Sequence, residues 1–304
     1  MEKVRHIKIT KEMKVKKLVK NMKNAGFGAR KIGLASEIFK KIFYEEKCDI
    51  FLGIAGAMVP AGMKEIIIDM IKTKKIKAIV ITGANLTHDL AEALGENHYH
   101  CDVWNDIIFQ KKGYDRIYNV FMKNLVYKKI EKFLEKNWSF LKNSKNNIEF
   151  YWLIGKILKN QNSIFSICYS TKTPIFCPTL LDSGLGLMLW SRIKSSKYTN
   201  IDFFNELSDF INIVWTKNKK AVIYIGGGTP KNFIQQALQF SGGADYGVQI
   251  TTEREEFGGS SGAPLEEGIS WGKLKTNSKK DLDFVDVICD ATIALPIIWS
   301  YVKN

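Results

Sequence analysis

Residues 49–82 read DIFLGIAGAMVPAGMKEIIIDMIKTKKIKAIVIT, and a change of period inside this stretch decides the fold class. Asp49 to Gly53 and Ala78 to Thr82 are short apolar runs of strand length, whereas Gly62 to Ile71 spaces its apolar residues as a helix does. Strand, helix, strand is the crossover that joins two parallel strands. The alternation recurs downstream: Phe203 to Val214 reads as a helix, Ala221 to Ile225 as a buried strand, and the chain after it as a helix through Gln239. The expectation is an α/β fold with a mostly parallel central sheet flanked by helices.

Length and composition narrow the class further. A chain of 304 residues can bury a large core without metal or disulfide staples, and the local patterns favour one domain over residues 1–304, with a basic N-terminal extension at about residues 1–25. The five cysteines, at 48, 101, 168, 177 and 289, are scattered and make no Cys-x-x-Cys pair, so no metal centre is expected and they read as core residues of a reducing compartment. No long apolar segment opens the chain, and the run over 51–63 is too short and glycine-rich to span a membrane, which points to the cytoplasm. A net charge of +14 would suit a nucleic-acid or membrane surface. The lysines, however, flank helices and strands, without zinc-finger spacing or an RNA-binding aromatic motif, and read as solvated faces.

Between these elements lie weaker signals. Leu125 to Leu141 mixes aromatic and aliphatic residues with lysines at helical intervals, as an outer amphipathic helix does. Thr87 is placed to cap a helix beginning near Asn85, which leaves His88 little functional weight. Ser163 to Tyr169 is a compact apolar segment, and the lysines of 217–220 read as a surface turn.

Two stretches carry candidate chemistry. Gly226-Gly227-Gly228 follows the strand Ala221 to Ile225 and precedes Thr229 and Pro230, so the glycines permit a tight turn, Thr229 can cap the helix, and Pro230 suits its first turn. The amides of such a helix start can bind pyrophosphate, although a plain strand-to-helix turn has the same composition. The second stretch runs Gly258-Gly259-Ser260-Ser261-Gly262-Ala263-Pro264, then through Glu267 to Ser270-Trp271-Gly272-Lys273. An amine beside apolar groups sheds its proton more readily, and a neutral amine attacks an imine or carbonyl carbon. Asp182-Ser183-Gly184 offers a ribose-directed carboxylate, or simply an Asx turn.

Taken in order, these segments resemble the deoxyhypusine synthase family. Ser270 to Lys273 is similar to the segment in which that family carries its catalytic lysine, and Ile225 to Gly228, Gly243-Ala244-Asp245-Tyr246 and Cys289-Asp290-Ala291 follow in similar order and separation. Phe51 to Gly53, Pro60 to Met63, Val80 to Ala84 and Cys177 to Asp182 extend the likeness over nearly the whole chain, weakening at the ends and around 121–165. The resemblance implies a Rossmann-like fold and an NAD-dependent transferase of polyamine metabolism. It places NAD at Thr82, Gly83, Ala84, Asp182, Gly226, Gly227, Gly228, Asp290 and Ala291. Lys273 would carry an aminobutyl group as an imine, Glu267 would hold an ammonium end of the polyamine, and Trp271 would shape its alkyl channel. It also implies a homotetramer with sites near subunit boundaries; from the charge pattern and the short apolar runs, neither nucleic acid nor a membrane is expected as a partner.

Three departures bear on the substrate. The glycine turn Gly258 to Gly262 has no internal aspartate, Leu187 stands where an acid is expected after Asp182, and Asn232 occupies the position of a catalytic-site histidine. Fewer ammonium contacts and altered proton handling favour the divergent, deoxyhypusine synthase-like branch, with transfer between small amines and homospermidine as the expected product. The alternatives are transfer from spermidine to a protein lysine, and an inactive NAD-binding descendant.

Overall fold

A computed structural model describes residues 3–103, 105–160, 162–196, 201–275 and 283–303. In chain order the first elements are α1 (Val15–Lys23), α2 (Phe27–Tyr44), β1 (Cys48–Ile54), α3 (Lys64–Lys72), β2 (Ile76–Ile81) and α4 (Gly83–Ala93). There follow β3 (Tyr99–His100), α5 (Asp106–Lys112), β4 (Tyr114–Ile117), β5 (Val120–Lys123), α6 (Leu125–Leu141), α7 (Asn147–Leu158), α8 (Ile164–Thr171) and β6 (Ile175–Phe176). The last are α9 (Gly184–Ser196), α10 (Phe203–Val214), β7 (Lys219–Ile225), α11 (Gly228–Gln239), β8 (Tyr246–Thr251), α12 (Glu267–Ser270), β9 (Phe284–Ile288) and α13 (Ala291–Lys303). The chain divides into two compact units: residues 1–55, 75–80 and 210–304 form the first, and 56–74 and 81–209 the second.

The first unit carries the parallel sheet that the alternation of periods predicts, in the order β2-β1-β7-β8-β9. Cys48 to Ile54 align with Lys219 to Ile225 residue for residue, and β8 and β9 continue in parallel register. β1 is buried at every position, as a strand covered on both faces must be, which is why it reads as an unbroken apolar run. The basic N-terminal segment contains α1, whose Val19 is buried, and α1 packs on α2 and α13. Lys219 and Lys220 lie inside β7 instead of in a surface turn. Lys220 is buried and donates to Thr216 O and Ser241 O at 3.1 and 3.3 Å, carbonyls just past the ends of α10 and α11, so its ammonium is satisfied by the main chain.

The second unit is mainly helical, with a small antiparallel sheet in the order β3-β5-β4. On α6, the buried residues Val126, Ile130, Leu134, Trp138 and Leu141 recur at helical spacing, giving the amphipathic helix expected from Leu125 to Leu141. Ser163 to Tyr169 becomes the buried helix α8. Its start is fixed by Asp89, fully buried on α4, which accepts from Ser163 Oγ, Ile164 N and Phe165 N at 2.8, 3.0 and 3.2 Å. Cys48, Cys101, Cys168 and Cys177 are buried and Cys289 half-buried, all as free thiols. Among the described residues, no helix is long and apolar enough to cross a membrane.

Candidate functional site

Within the first unit the glycine triplet sits where parallel strands end. Gly226 N donates to Ile250 O at 2.7 Å, Ala55 N to Ile225 O at 2.8 Å and Cys289 N to Thr251 O at 2.9 Å, so the ends of β1, β7, β8 and β9 form one edge. Crevices at this edge are where open α/β sheets take ligands. Gly226 and Gly228 have φ of 81° and 56°, left-handed values that favour glycine. α11 begins at Gly228 with Gly227 as its N-cap and no side chain capping it, so Thr229 lies within the first turn and does not cap as its position suggested. An uncapped start leaves the first amides to be satisfied by water or an anion.

Over this turn lies the glycine-serine stretch. A Cβ on Gly227 would stand 2.6 Å from Ser261 Cα, so the two segments touch backbone to backbone. Three side chains from beneath fasten the stretch. Lys231 Nζ, on α11, donates to Ser260 O and Ala263 O at 2.9 and 2.5 Å, and Gln249 Nε2, on β8, to Ser261 O at 2.6 Å. Asp286, on β9, accepts from Leu265 N with both oxygens at 3.1 Å. Burial pushes the Lys231 amine down to about 8 against the opposing pull of Asp286 and Glu267, with Lys273 adding to the fall. Burial likewise pushes the Asp286 carboxyl up. None of Lys231, Gln249 and Asp286 stood out in the sequence, and only the spacing of Lys231 from the glycines offered a signal.

From there the chain runs through α12 to Lys273, which is 8% exposed. Its ammonium stands 5.0 Å from the centre of the Trp271 ring, a cation–π contact, while Trp271 itself is 60% exposed. The main chain of Lys273 is held by Ala244 N, which donates to Lys273 O at 3.0 Å, and Gln239 Nε2 at the end of α11 donates to Trp271 O at 2.8 Å. Lys273 therefore leaves the backbone at the far end of α11 from the glycine turn, a helix of 12 residues and so about 18 Å long. Glu267 and Asn232 are exposed, Asn232 just past the first turn of α11. Asp290 Oδ1 accepts from Thr292 N and Thr292 Oγ1, both at 2.6 Å, so this carboxylate starts α13, next to Ala291.

The remaining candidates come together in the second unit. Gly83 N donates to Thr179 Oγ1 at 3.2 Å, and a Cβ on Gly83 would lie 2.6 Å from Ser183 Oγ, so Thr82-Gly83-Ala84 abuts the turn that carries Asp182. Asp182 is exposed there. Thr82 is the N-cap of α4, and its Oγ1 accepts from Asn85 Nδ2 at 2.9 Å; Asn85 also donates to Gly56 O at 2.6 Å and accepts from Val59 N at 3.1 Å. Thr87 lies inside the helix instead of capping it, donating to Gly83 O and accepting from Leu185 N. His88, on the same helix, heads a buried chain: its Nδ1 meets His98 Nε2 at 3.0 Å, and His98 Nδ1 meets Glu92 at 2.7 Å. Burial first, and the second imidazole next, push His88 down to about 4. Leu187 is 60% exposed.

A family model described as deoxyhypusine synthase matches residues 17–302. The chain belongs to the deoxyhypusine synthase family. Probable deoxyhypusine synthase 1 of Archaeoglobus fulgidus is 39% identical over 298 residues, covering 97% of this chain and 96% of that protein. Its namesake from Methanosarcina acetivorans is 38% identical over 304 residues, covering 99% and 94%. A solved structure from Entamoeba histolytica, described as a candidate deoxyhypusine synthase, shares the fold with a TM-score of 0.63 at 18% identity, over 96% of this chain and 93% of that one. Deoxyhypusine synthases are NAD-dependent aminobutyl transferases, and this chain is a transferase of that family.

Proposed function

We propose that this deoxyhypusine synthase family member moves the aminobutyl group of spermidine to a protein lysine, with Lys273 as the carrier. The observation that carries the reading is a buried lysine ammonium 5.0 Å over Trp271, in the segment that resembles the family's catalytic site. Likeness over nearly the full length to archaeal proteins named probable deoxyhypusine synthases supports a protein acceptor better than the homospermidine expected from the missing acids. A small-amine acceptor remains the second reading, favoured by Leu187, which presents an apolar side chain where an ammonium would want a carboxylate.

NAD, when bound, supplies the acceptor and later the donor of a hydride at the carbon next to nitrogen. The uncapped start of α11, the left-handed glycines 226 and 228 and the close approach at Gly83 fit such a ligand. By the family resemblance, Gly226, Gly227 and Gly228 would take its phosphates, and contacts to NAD are assigned to Asp290 and Ala291 in the first unit and, separately, to Thr82, Gly83, Ala84 and Asp182 in the second. Lys273 captures the aminobutyl fragment of the oxidised polyamine as an imine, releasing the remainder as an amine, and the acceptor amine then displaces Lys273. Glu267 holds an ammonium end, Trp271 confines the alkyl chain, and Asn232 orients the reacting nitrogen through its amide without taking a proton. A homotetramer with sites near subunit boundaries and a cytoplasmic location complete the proposal, and light scattering that finds only monomer would reject the assembly.

The decisive test is borohydride trapping. Protein, NAD and spermidine, with or without a lysine-bearing acceptor protein, are reduced, digested and weighed. A spermidine-dependent mass on Lys273, lost in Lys273→Ala, supports the carrier. A labelled small amine in place of labelled protein would favour the second reading, and label transfer undiminished in Lys273→Ala would refute the covalent role.

A further inference from the structure

We propose that Lys231 is a positioning residue of this site, the tie that holds the glycine-serine stretch down on the Gly227 turn; the inference rests on the transferase reading above. Lys231 is 2% exposed, and its ammonium makes no ion pair with a carboxylate among the described residues. A buried cation that Asp286 and Glu267 pull on without a direct ion pair is costly, and its hydrogen bonds offset that cost. Those bonds go to Ser260 O and Ala263 O, the two sides of a turn whose middle residue, Ser261, is gripped by Gln249.

The stretch has few other supports. Ser260 is exposed, as are residues 252–259 before it, and its own backbone offers Gly262 N and Ala263 N to Gly259 O, both at 3.1 Å. Downstream, Asp286 fixes Leu265 N, and only then do Glu267 and Lys273 follow. Lys231 thus joins the first turn of α11 to the segment that delivers Glu267, Trp271 and Lys273. It touches neither substrate nor cofactor in this reading; it acts through the backbone it holds.

The test uses the full chain with Lys231→Met, which keeps the stem and removes the donors. Hydrogen exchange is followed on peptides covering residues 258–266 and, separately, β8. Exchange in 258–266 is expected to rise about tenfold or more with β8 unchanged, and Lys231→Arg, which keeps charge and donors, to restore part of the protection. In the trapping assay at saturating spermidine, the rate of adduct formation on Lys273 falls about tenfold, while the spermidine concentration for half-maximal rate moves less than threefold. Unchanged exchange in 258–266 would overturn the proposal. So would loss of protection shared equally by β8 in both variants, which would make Lys231 a general support of the fold. Wild-type protein that never forms an adduct, with exchange responding as described, would sink the reading of Lys273 as carrier and leave the tie intact.

Discussion

Adding one methyl group at Gly227 should loosen the candidate site from inside. Gly227 has a φ of −169°, outside the left-handed range that only glycine enters freely. The cost is contact: the new Cβ would stand 2.6 Å from Ser261 Cα and 3.1 Å from Ser261 Cβ and O. Carbon atoms settle at about 3.5–4.0 Å, so the stretch must retreat by about 1 Å. Its ties to Lys231 and Gln249 run from 2.5 to 2.9 Å, and that retreat carries them past the range of a good bond. Weakening the two charged bonds from Lys231 and the neutral one from Gln249 costs about 3 kcal/mol. For a chain of this size that corresponds to a fall in melting temperature of roughly 6–10 °C. Gly259→Ala is the control, since nothing lies within 4 Å of its Cβ, and should stay within about 0.5 kcal/mol of wild type. Thermal melts of the three proteins, with calorimetric titration of NAD, make the comparison. If Gly227→Ala melts with wild type and binds NAD equally well, the contact between the two segments is not as described and the reasoning fails.

Acid titration should expose two carboxyls in the second unit. Burial raises Asp89 to about 6 and Glu206 to about 7. A raised carboxyl favours the folded state most while protonated, so this contribution is full below the ordinary carboxylate range and is lost as pH climbs through 6 and 7. At about 1.4 kcal/mol per pH unit, each group accounts for about 3 kcal/mol. Denaturant melts from about pH 4 to 7.5 should show wild type losing that much relative to Asp89→Asn, and a gap that widens in favour of wild type with rising pH would contradict it. The single-domain reading predicts one calorimetric transition with equal calorimetric and van't Hoff enthalpies; two separable transitions would reject it.

Much of this structure is legible in the chain, for identifiable reasons. The helices Leu125–Leu141 and Phe203–Val214 form with the bounds their periodicity indicates, and β1, β2 and β7 fall on the apolar runs, because strands buried on both faces cannot hide polar residues. The hairpin of β4 and β5 gives no such signal. Its two-residue turn is Tyr118-Asn119, with Tyr118 at a φ of 52° where glycine or asparagine would announce the reversal, and its strands are held by the cluster of Tyr99, Phe109, Tyr114 and Phe121. Caps misled for a related reason: Thr87 and Thr229 have capping chemistry, but Thr82 and Gly227 stand where the helices start, as the preceding strands dictate. At the site, the lysine and the glycines could be singled out by composition. Lys231, Gln249 and Asp286 could not, since each is an ordinary polar residue until three separate elements bring them beneath one loop.

The pairing of β1 with β7 also sets a timetable. Cys48 to Ile54 find their partners at Lys219 to Ile225, with the entire second unit between them in sequence. On a ribosome, β1 emerges early and then waits with one edge bare while more than half of the chain is made, a long-range closure of the kind that slows folding. A bare apolar edge is also a template for the wrong partner. The compact helical unit that lies between the two strands is therefore the part that can fold first, and a nascent chain stalled before residue 219 would carry a folded insert beside a strand with nowhere to go.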